Sequence, residues 1–431
     1  MEQHSRHGDF VRVAPNHVSI NTYEAVAEIY GHRSGCTKSE FYDAFLQVTP
    51  VLFNVRDPRS HQQKKKYLNP AFSAKALAEF EPSMDAEMLG WKNKLLGLAT
   101  SDANTIDFAV WTNYLAFDVI GCFAFGTSFG FVEQGKDTYN LISTIDKRGE
   151  VFNALGTLPK YLRSWMRYNY FDPFWSSGLR ATSNLESIGR RAYSQRKNNI
   201  KPQKDLLSYL FQAEKSEDLE EREIIAESIS FIVGGSDTTS STMTNVVDFV
   251  SRDKDLQRKL QSELDDVFPD AIDEAWIPSY HKLQNLPLLN ATLREVMRVR
   301  PTSATGLERV IPSGGKTISG VYLPAGTVVS VPTGGLMSDE RIFKDAAKFR
   351  PERWLQADAK DLLESFLPFS TGPRACIGRN FAWMEILKAL AIIFKLFNVQ
   401  RSNSQATVIR EGFFQKAAEC KCVLTSRTRE Q

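Results

Sequence analysis

Cysteine is scarce in this chain of 431 residues. The five present, Cys36, Cys122, Cys376, Cys420 and Cys422, are odd in number and scattered. That excludes a disulfide framework and favours a reducing compartment. A surplus of either charge is also missing: 53 Lys and Arg against 51 Asp and Glu leave a net charge of +2, which gives no basis for nucleic-acid binding. No run of about 18 consecutive apolar residues occurs, so no transmembrane helix is encoded. Residues 1–9 are polar and carry no apolar h-region of a secretory signal. There is no internal repeat, low-complexity tract or clear linker. What is there, 42% hydrophobic residues with 24% charged, is the balance of a globular protein with ample material for a large core.

Hydrophobic periodicity gives the organisation. Residues 11–13 and 17–20 alternate as short strands, and a helix begins near Glu24. From 60 to about 397 the pattern is mainly helical, with helices expected at 74–98, 108–125, 185–199, 219–252, 254–267, 286–299 and 381–397. Residues 318–329 read as a hairpin. A second β patch is expected from 407–410 and 419–424, with Cys420 and Cys422 as packing residues in a strand and not metal ligands. The fold class that follows is mainly α with a small β lobe, in one domain over residues 1–431.

Four segments carry chemistry. In Phe369-Ser370-Thr371-Gly372-Pro373-Arg374-Ala375-Cys376-Ile377-Gly378 a single cysteine sits in a glycine- and proline-bearing loop just ahead of an apolar helix. Glycines free the backbone and proline fixes one dihedral, so amide N–H groups and a helix N-terminus can face the sulfur and favour a thiolate. Arg374 supplies a fixed cation suited to a carboxylate. Read alone, Cys376 is equally a buried small hydrophobe or a free thiol.

The second segment, Gly234-Gly235-Ser236-Asp237-Thr238-Thr239-Ser240-Ser241-Thr242, is a run of poor helix formers inside a helical stripe. It is either a polar loop joining two helices or a helix that breaks local rules at a functional site. The third is Glu295 with Arg298 on one helix face, joined by Arg353 in Pro351-Glu352-Arg353-Trp354. The pair by itself is an ordinary surface contact. The fourth, His61-Gln62-Gln63-Lys64-Lys65-Lys66, is by itself a solvated basic helix face.

The ten-residue cysteine segment resembles the haem-binding signature of the cytochrome P-450 superfamily, the haem-thiolate monooxygenases. Phe, Gly, Arg, Cys and Gly all stand where that pattern has them, and the four segments occur in the family's order across nearly the whole chain. The resemblance implies haem b as cofactor, with Cys376 as axial ligand to its iron. It implies Thr238 and Asp237 as hydroxyl and acid of a proton relay to dioxygen, a relay that O–O cleavage requires. Phe369, Arg374, His61, Lys65 and Arg309 fall at haem-contacting positions, the last four toward the propionates. Lys65 departs from the family's arginine, keeping the charge but losing the fork. Glu295, Arg298 and Arg353 match a buried structural triad.

The resemblance also implies insertion of one oxygen atom into a hydrophobic small molecule, with electrons from a separate NADPH-dependent flavoprotein reductase. The chain is too short to hold a flavin reductase as well. Lys64–Lys66 is a candidate patch for docking the reductase's acidic face. Segments 41–53, 151–175, 302–307 and 411–415 are expected to line the pocket. Residues 300–312 and 410–416 have the texture of fungal members, so tailoring of a terpenoid, polyketide or alkaloid is expected. A small aromatic acid is the alternative, favoured by an arginine in the pocket. A dioxygen-independent isomerase or dehydratase and a non-catalytic haem-binding protein stay open as rival classes. Family members commonly begin with a membrane anchor and proline-rich hinge ahead of the first strand. A truncated chain, a shortened gene model and a naturally soluble form each account for their absence here. The expected location is the cytoplasm or the cytoplasmic face of the endoplasmic reticulum.

Overall fold

The computed structural model describes residues 2–46, 49–101, 104–199, 204–216, 219–269 and 274–427. Two of the residues expected to line the pocket, 47 and 48, lie outside this set. Helices dominate, and their ends follow local chemistry. Ser73 caps Ala74–Ala99, Asp107 caps Phe108–Phe125, and Asp172 with Pro173 opens Pro173–Asn198. Glu220 and Glu223 form a capping box at the head of Glu221–Val250.

Glu221–Val250 is one continuous helix of 30 residues, so the polar stretch at 234–242 is not a loop. Its hydroxyls bond back into their own helix: Ser236 to Ile232 O at 2.8 Å, Thr238 to Gly234 O at 2.8 Å and Thr242 to Thr238 O at 2.8 Å. Thr112 also bonds Thr244 at 2.8 Å across to Phe108–Phe125. Tertiary packing here overrides propensity. Phe108–Phe125 is the one helix among the described residues that is long and apolar enough to cross a membrane, and most of it is buried in the core. Arg379–Leu396 is buried nearly all round and completes this helical core.

The β lobe differs from expectation in its partners. The hairpin closes early, as Lys316–Ile318 against Val321–Leu323, with Ser319 and Gly320 at positive φ. Val328–Ser330 leaves it and lies between His17–Ile20 and Arg309–Val310 in a five-stranded sheet edged by Phe10–Ala14 and Thr37–Lys38. The C-terminal β segments do not form one patch. Ile409–Glu411 pairs with Gln415–Ala417, and Lys421–Ser426 pairs with Thr105–Asp107 and Phe397–Arg401. Cys420 and Cys422 are buried packing residues with sulfurs 3.9 Å apart. No cluster with metal-ligand composition occurs among the described residues. The second apolar cluster, with Ile20, Ile29, Ile311, Ile318 and Val329, belongs to this lobe.

Candidate active site

A cavity is enclosed by the central helix, the cysteine loop, the early segment around Phe45 and the tip of the C-terminal hairpin. Cys376 opens into it. In the cysteine loop the special backbone is at Gly372, with φ +72°, where a Cβ would stand 2.0 Å from the Tyr30 carbonyl oxygen. Only glycine fits there. Ser370 also has positive φ, whereas Gly378 has an ordinary φ of −82° and caps Arg379–Leu396. The Cys376 N–H donates to Phe369 O at 2.9 Å. Burial pushes the Cys376 thiol up, opposed by the Gly378 N–H and by Arg379. The helix N-terminus and the amide therefore face the sulfur as the sequence implies. Phe369 lines the cavity, with its ring 6.0 Å from that of Trp383.

On one side of the cavity stand His61, Lys65, Arg309 and Arg374, all anticipated, and Lys38, which was not. Arg374 donates to Val55 O at 2.8 Å and Arg56 O at 3.1 Å, and Lys65 donates to Pro373 O at 3.3 Å. Arg309 donates to Glu308 O at 2.9 Å and lies 5.0 Å over the Tyr30 ring. Buried Lys38 donates to Phe53 O and stacks 4.1 Å over Tyr42. No ion pair joins any of the five to a carboxylate among the described residues. Burial and the neighbouring cations push His61 down to about 3 and Arg374 down to about 10, and hold Lys38 well below its ordinary value. Such a group is stable only beside anions. It fits the two propionates of haem b, in a cavity that Cys376 also lines. A lone lysine in a short strand gave no sequence signal.

On the central helix, Gly234 faces open space in the cavity while a Cβ on Gly235 would strike Ile120 at 2.7 Å. Bare backbone is thus presented to the cavity at the first and packed tightly at the second. Thr238 follows one turn later and lines the same wall. Asp237 is buried and pairs with Lys416 at 2.7 Å, and Lys416 also contacts Asp146. Burial raises the Asp237 pKa, and Lys416 opposes the rise. The acid is therefore not open to solvent. It is joined through Lys416 to Asp146, two residues the sequence gave no means to find because they lie far apart in the chain.

Arg148 also lines the cavity, from helix Leu141–Thr157. It is 4% exposed, and its Nε has no partner. Its Nη2 reaches Phe45 O at 3.4 Å, and the guanidinium lies 4.4 Å over the Phe152 ring. Burial and nearby Arg167 push it down to about 9, so it stays charged at neutral pH.

Away from the cavity, Glu295, Arg298 and Arg353 meet in the interior. Arg298 donates to Glu295 at 2.8 and 3.0 Å, and Arg353 donates at 3.0 Å. Trp354 Nε1 joins at 2.9 Å.

Two expectations are corrected. Segment 151–175 contributes nothing to the cavity wall; the wall is made by Ile145, Asp146, Arg148, Gly149 and Glu150, one to two turns earlier. Val151, Phe152 and Leu155 pack behind it against Phe41 and Phe45. The other expected segments do line it, through Tyr42, Phe45, Val51 and Phe53, through Thr302, Ser303 and Leu307, and through Glu411, Gly412, Phe413 and Phe414. Nor do Lys64–Lys66 form a docking patch. Lys64 is 7% exposed and pairs with Glu223 at 3.4 Å and Glu227 at 3.1 Å, and Lys65 turns to the cysteine loop. A helix shows successive residues to different sides, so three consecutive lysines cannot share one face.

Comparison with known proteins shows the family. The family model described as Cytochrome P450 matches residues 1–420. Benzoate 4-monooxygenase bphA of Aspergillus niger is 35% identical over 96% of this chain and 84% of the relative. Cytochrome P450 monooxygenase ORF11 of Penicillium roqueforti is 34% identical over 94% and 84%. Pisatin demethylase of Fusarium vanettenii is 28% identical over 99% and 85%.

Proposed function

The chain belongs to the cytochrome P450 family of haem-dependent monooxygenases, and we propose that it hydroxylates a hydrophobic small molecule of fungal secondary metabolism. The observation that carries this is the aromatic-walled cavity into which Cys376, Gly234 and Thr238 all open. Haem bound there supplies reductive cleavage of dioxygen, in which a C–H bond, dioxygen, two protons and two electrons give an alcohol and water. In our reading Cys376 holds the iron as thiolate, and Lys38, His61, Lys65, Arg309 and Arg374 receive the propionates. Gly234 leaves room beside the backbone for dioxygen. Thr238, whose Oγ1 donates to Gly234 O at 2.8 Å, would be the hydroxyl beside that space, and Asp237, linked to Lys416 and Asp146, would be the acid that replenishes its proton. Phe45, Phe53 and Phe413, with ring centroids 5.0–5.7 Å apart, exclude water and orient the apolar substrate. Glu295, Arg298 and Arg353 hold the segment that precedes the cysteine loop.

A small aromatic acid is the second reading, favoured by a relative whose name specifies benzoate. The Asp237–Thr238 pair speaks against a dioxygen-independent isomerase, which has no use for a proton relay. Electrons come from a separate reductase, which we take to be an NADPH-dependent flavoprotein. We further propose contact with a membrane surface through Lys160–Arg167 and the turn after it, where Trp165 is 66% and Phe171 99% exposed beside the exposed Lys160. Aromatic rings with flanking cations suit the lipid interface. We take the location to be the cytoplasm or the cytoplasmic face of the endoplasmic reticulum, a reading supported by five free cysteines.

The experiment is the absorption spectrum of the reduced protein under carbon monoxide, followed by turnover in isotope-labelled dioxygen. A strongly red-shifted Soret band and one labelled oxygen in the product are expected. Haem uptake without that shift overturns Cys376 as thiolate ligand. Bound haem with no NADPH- and dioxygen-dependent turnover supports the non-catalytic class.

A further inference from the structure

The cavity holds two separate groups of basic side chains. Lys38, Arg309 and Arg374 lie close enough to act on one another and, with Lys65, on His61. Arg148 feels only Arg167. The two propionates of haem account for the first group and leave Arg148 over.

Arg148 is buried, opens into the cavity and has donors to spare. Its Nε is unpartnered and its best acceptor is the Phe45 carbonyl at 3.4 Å. The acids on its own helix do not answer it. Asp146 is engaged by Lys416, and no ion pair joins Arg148 to Glu150 among the described residues. Arg167, which follows it in space, donates to Ala44 O at 2.8 Å and adds positive potential. A desolvated guanidinium with one long hydrogen bond and an unpartnered Nε is under-satisfied, which is destabilising. Its fork of donors matches a carboxylate oxygen for oxygen. Around it the wall is aromatic, from Phe45 through Phe53 to Phe413, with Phe152 packed behind under the guanidinium.

Resting on the monooxygenase reading of the same cavity, we infer that Arg148 anchors the carboxylate of a hydrophobic acid, so that the substrate is a monoanion with an apolar body. The scaffold is then chosen by the aromatic wall and the charge by one residue. Neutral analogues lose the anchor and leave the guanidinium unpaired.

The test is calorimetric titration of the haem-loaded protein with matched pairs of acid and primary amide: benzoate and benzamide, cinnamate and cinnamamide, 4-phenylbutyrate and its amide. At least one acid is expected to bind about ten- to a hundredfold more tightly than its amide, and to move the Soret band. Arg148→Met removes that preference and leaves the carbon monoxide spectrum unchanged; Arg148→Gln serves if the first variant takes up no haem. Arg148→Lys, which keeps the charge without the fork, retains part of the preference. Equal binding of acids and amides, no binding of any acid, or a preference that survives loss of Arg148 overturns the inference. Calorimetry reads binding without turnover. A normal thiolate spectrum with no acid preference therefore removes the anchor alone, whereas an abnormal spectrum removes the monooxygenase reading.

Discussion

Glu295→Gln tests whether the buried charge cluster holds the haem-bearing part of the fold. Glu295 is fully buried, and its oxygens take five donors. Oε1 accepts from Arg298 Nη2 at 2.8 Å, Arg353 Nε at 3.0 Å and the Arg350 N–H at 2.9 Å. Oε2 accepts from Arg298 Nε at 3.0 Å and Trp354 Nε1 at 2.9 Å. Glutamine keeps the volume but carries no charge and only one acceptor oxygen. If that oxygen takes the place of Oε1, the new NH₂ faces Arg298 Nε and Trp354 Nε1, donor against donor. Two buried guanidiniums then share no carboxylate. Breaking a buried pair in this way costs about 3–5 kcal/mol. With an unfolding entropy of about 2.1 cal/mol/K per residue, that lowers the melting temperature of a chain this long by about 3–6 °C. The loss is local before it is global. Arg353 also ties Lys344 O at 2.7 Å, and Arg298 ties Met337 O at 2.8 Å, so the segment leading to Cys376 loosens and haem uptake falls. Haem-to-protein ratio and thermal unfolding of the purified variant measure both effects. A variant with normal haem content and a melting temperature within about 1 °C of the parent would refute the reasoning.

Other expectations follow from the same geometry. Thr238→Ala keeps haem and substrate binding but diverts electrons into peroxide; peroxide formed per NADPH consumed checks it, and unchanged coupling counts against the relay. Lys416→Met removes the cation that opposes burial at Asp237, so Asp237 holds its proton to higher pH. The limb of the pH–kcat profile that belongs to Asp237 should move upward in that variant and vanish in Asp237→Asn, and a profile identical to the parent in both rules out the assignment. Phe171→Ser with Trp165→Ser should weaken flotation with anionic lipid vesicles by about tenfold or more, the expected loss for a large side chain kept out of an apolar phase, while equal flotation removes the membrane-contact proposal.

The sequence alone determined what is local or contiguous. The loop from Phe369 to Gly378 carries its cysteine, its glycine and its arginine within ten residues, so the family and its cofactor were legible without coordinates. So were the helices at 74–99 and 108–125, whose apolar faces and caps lie in one window. The Glu295–Arg298 spacing brought together two of the three members of the buried triad, because residues three apart on a helix share a face. Tertiary structure decided whatever depends on neighbours distant in sequence. It kept the serine- and threonine-rich stretch helical by packing it on Phe108–Phe125. It turned Lys64 from a surface charge into a buried partner of Glu227. It moved Val328–Ser330 out of its hairpin and beside His17–Ile20. It also brought Lys416 to Asp237, Lys38 to Arg374 and Arg148 to the cavity wall. A single charged residue has the same local signature whether it faces water or a cavity. Its surroundings, and hence its chemistry, exist only once the chain has closed around it.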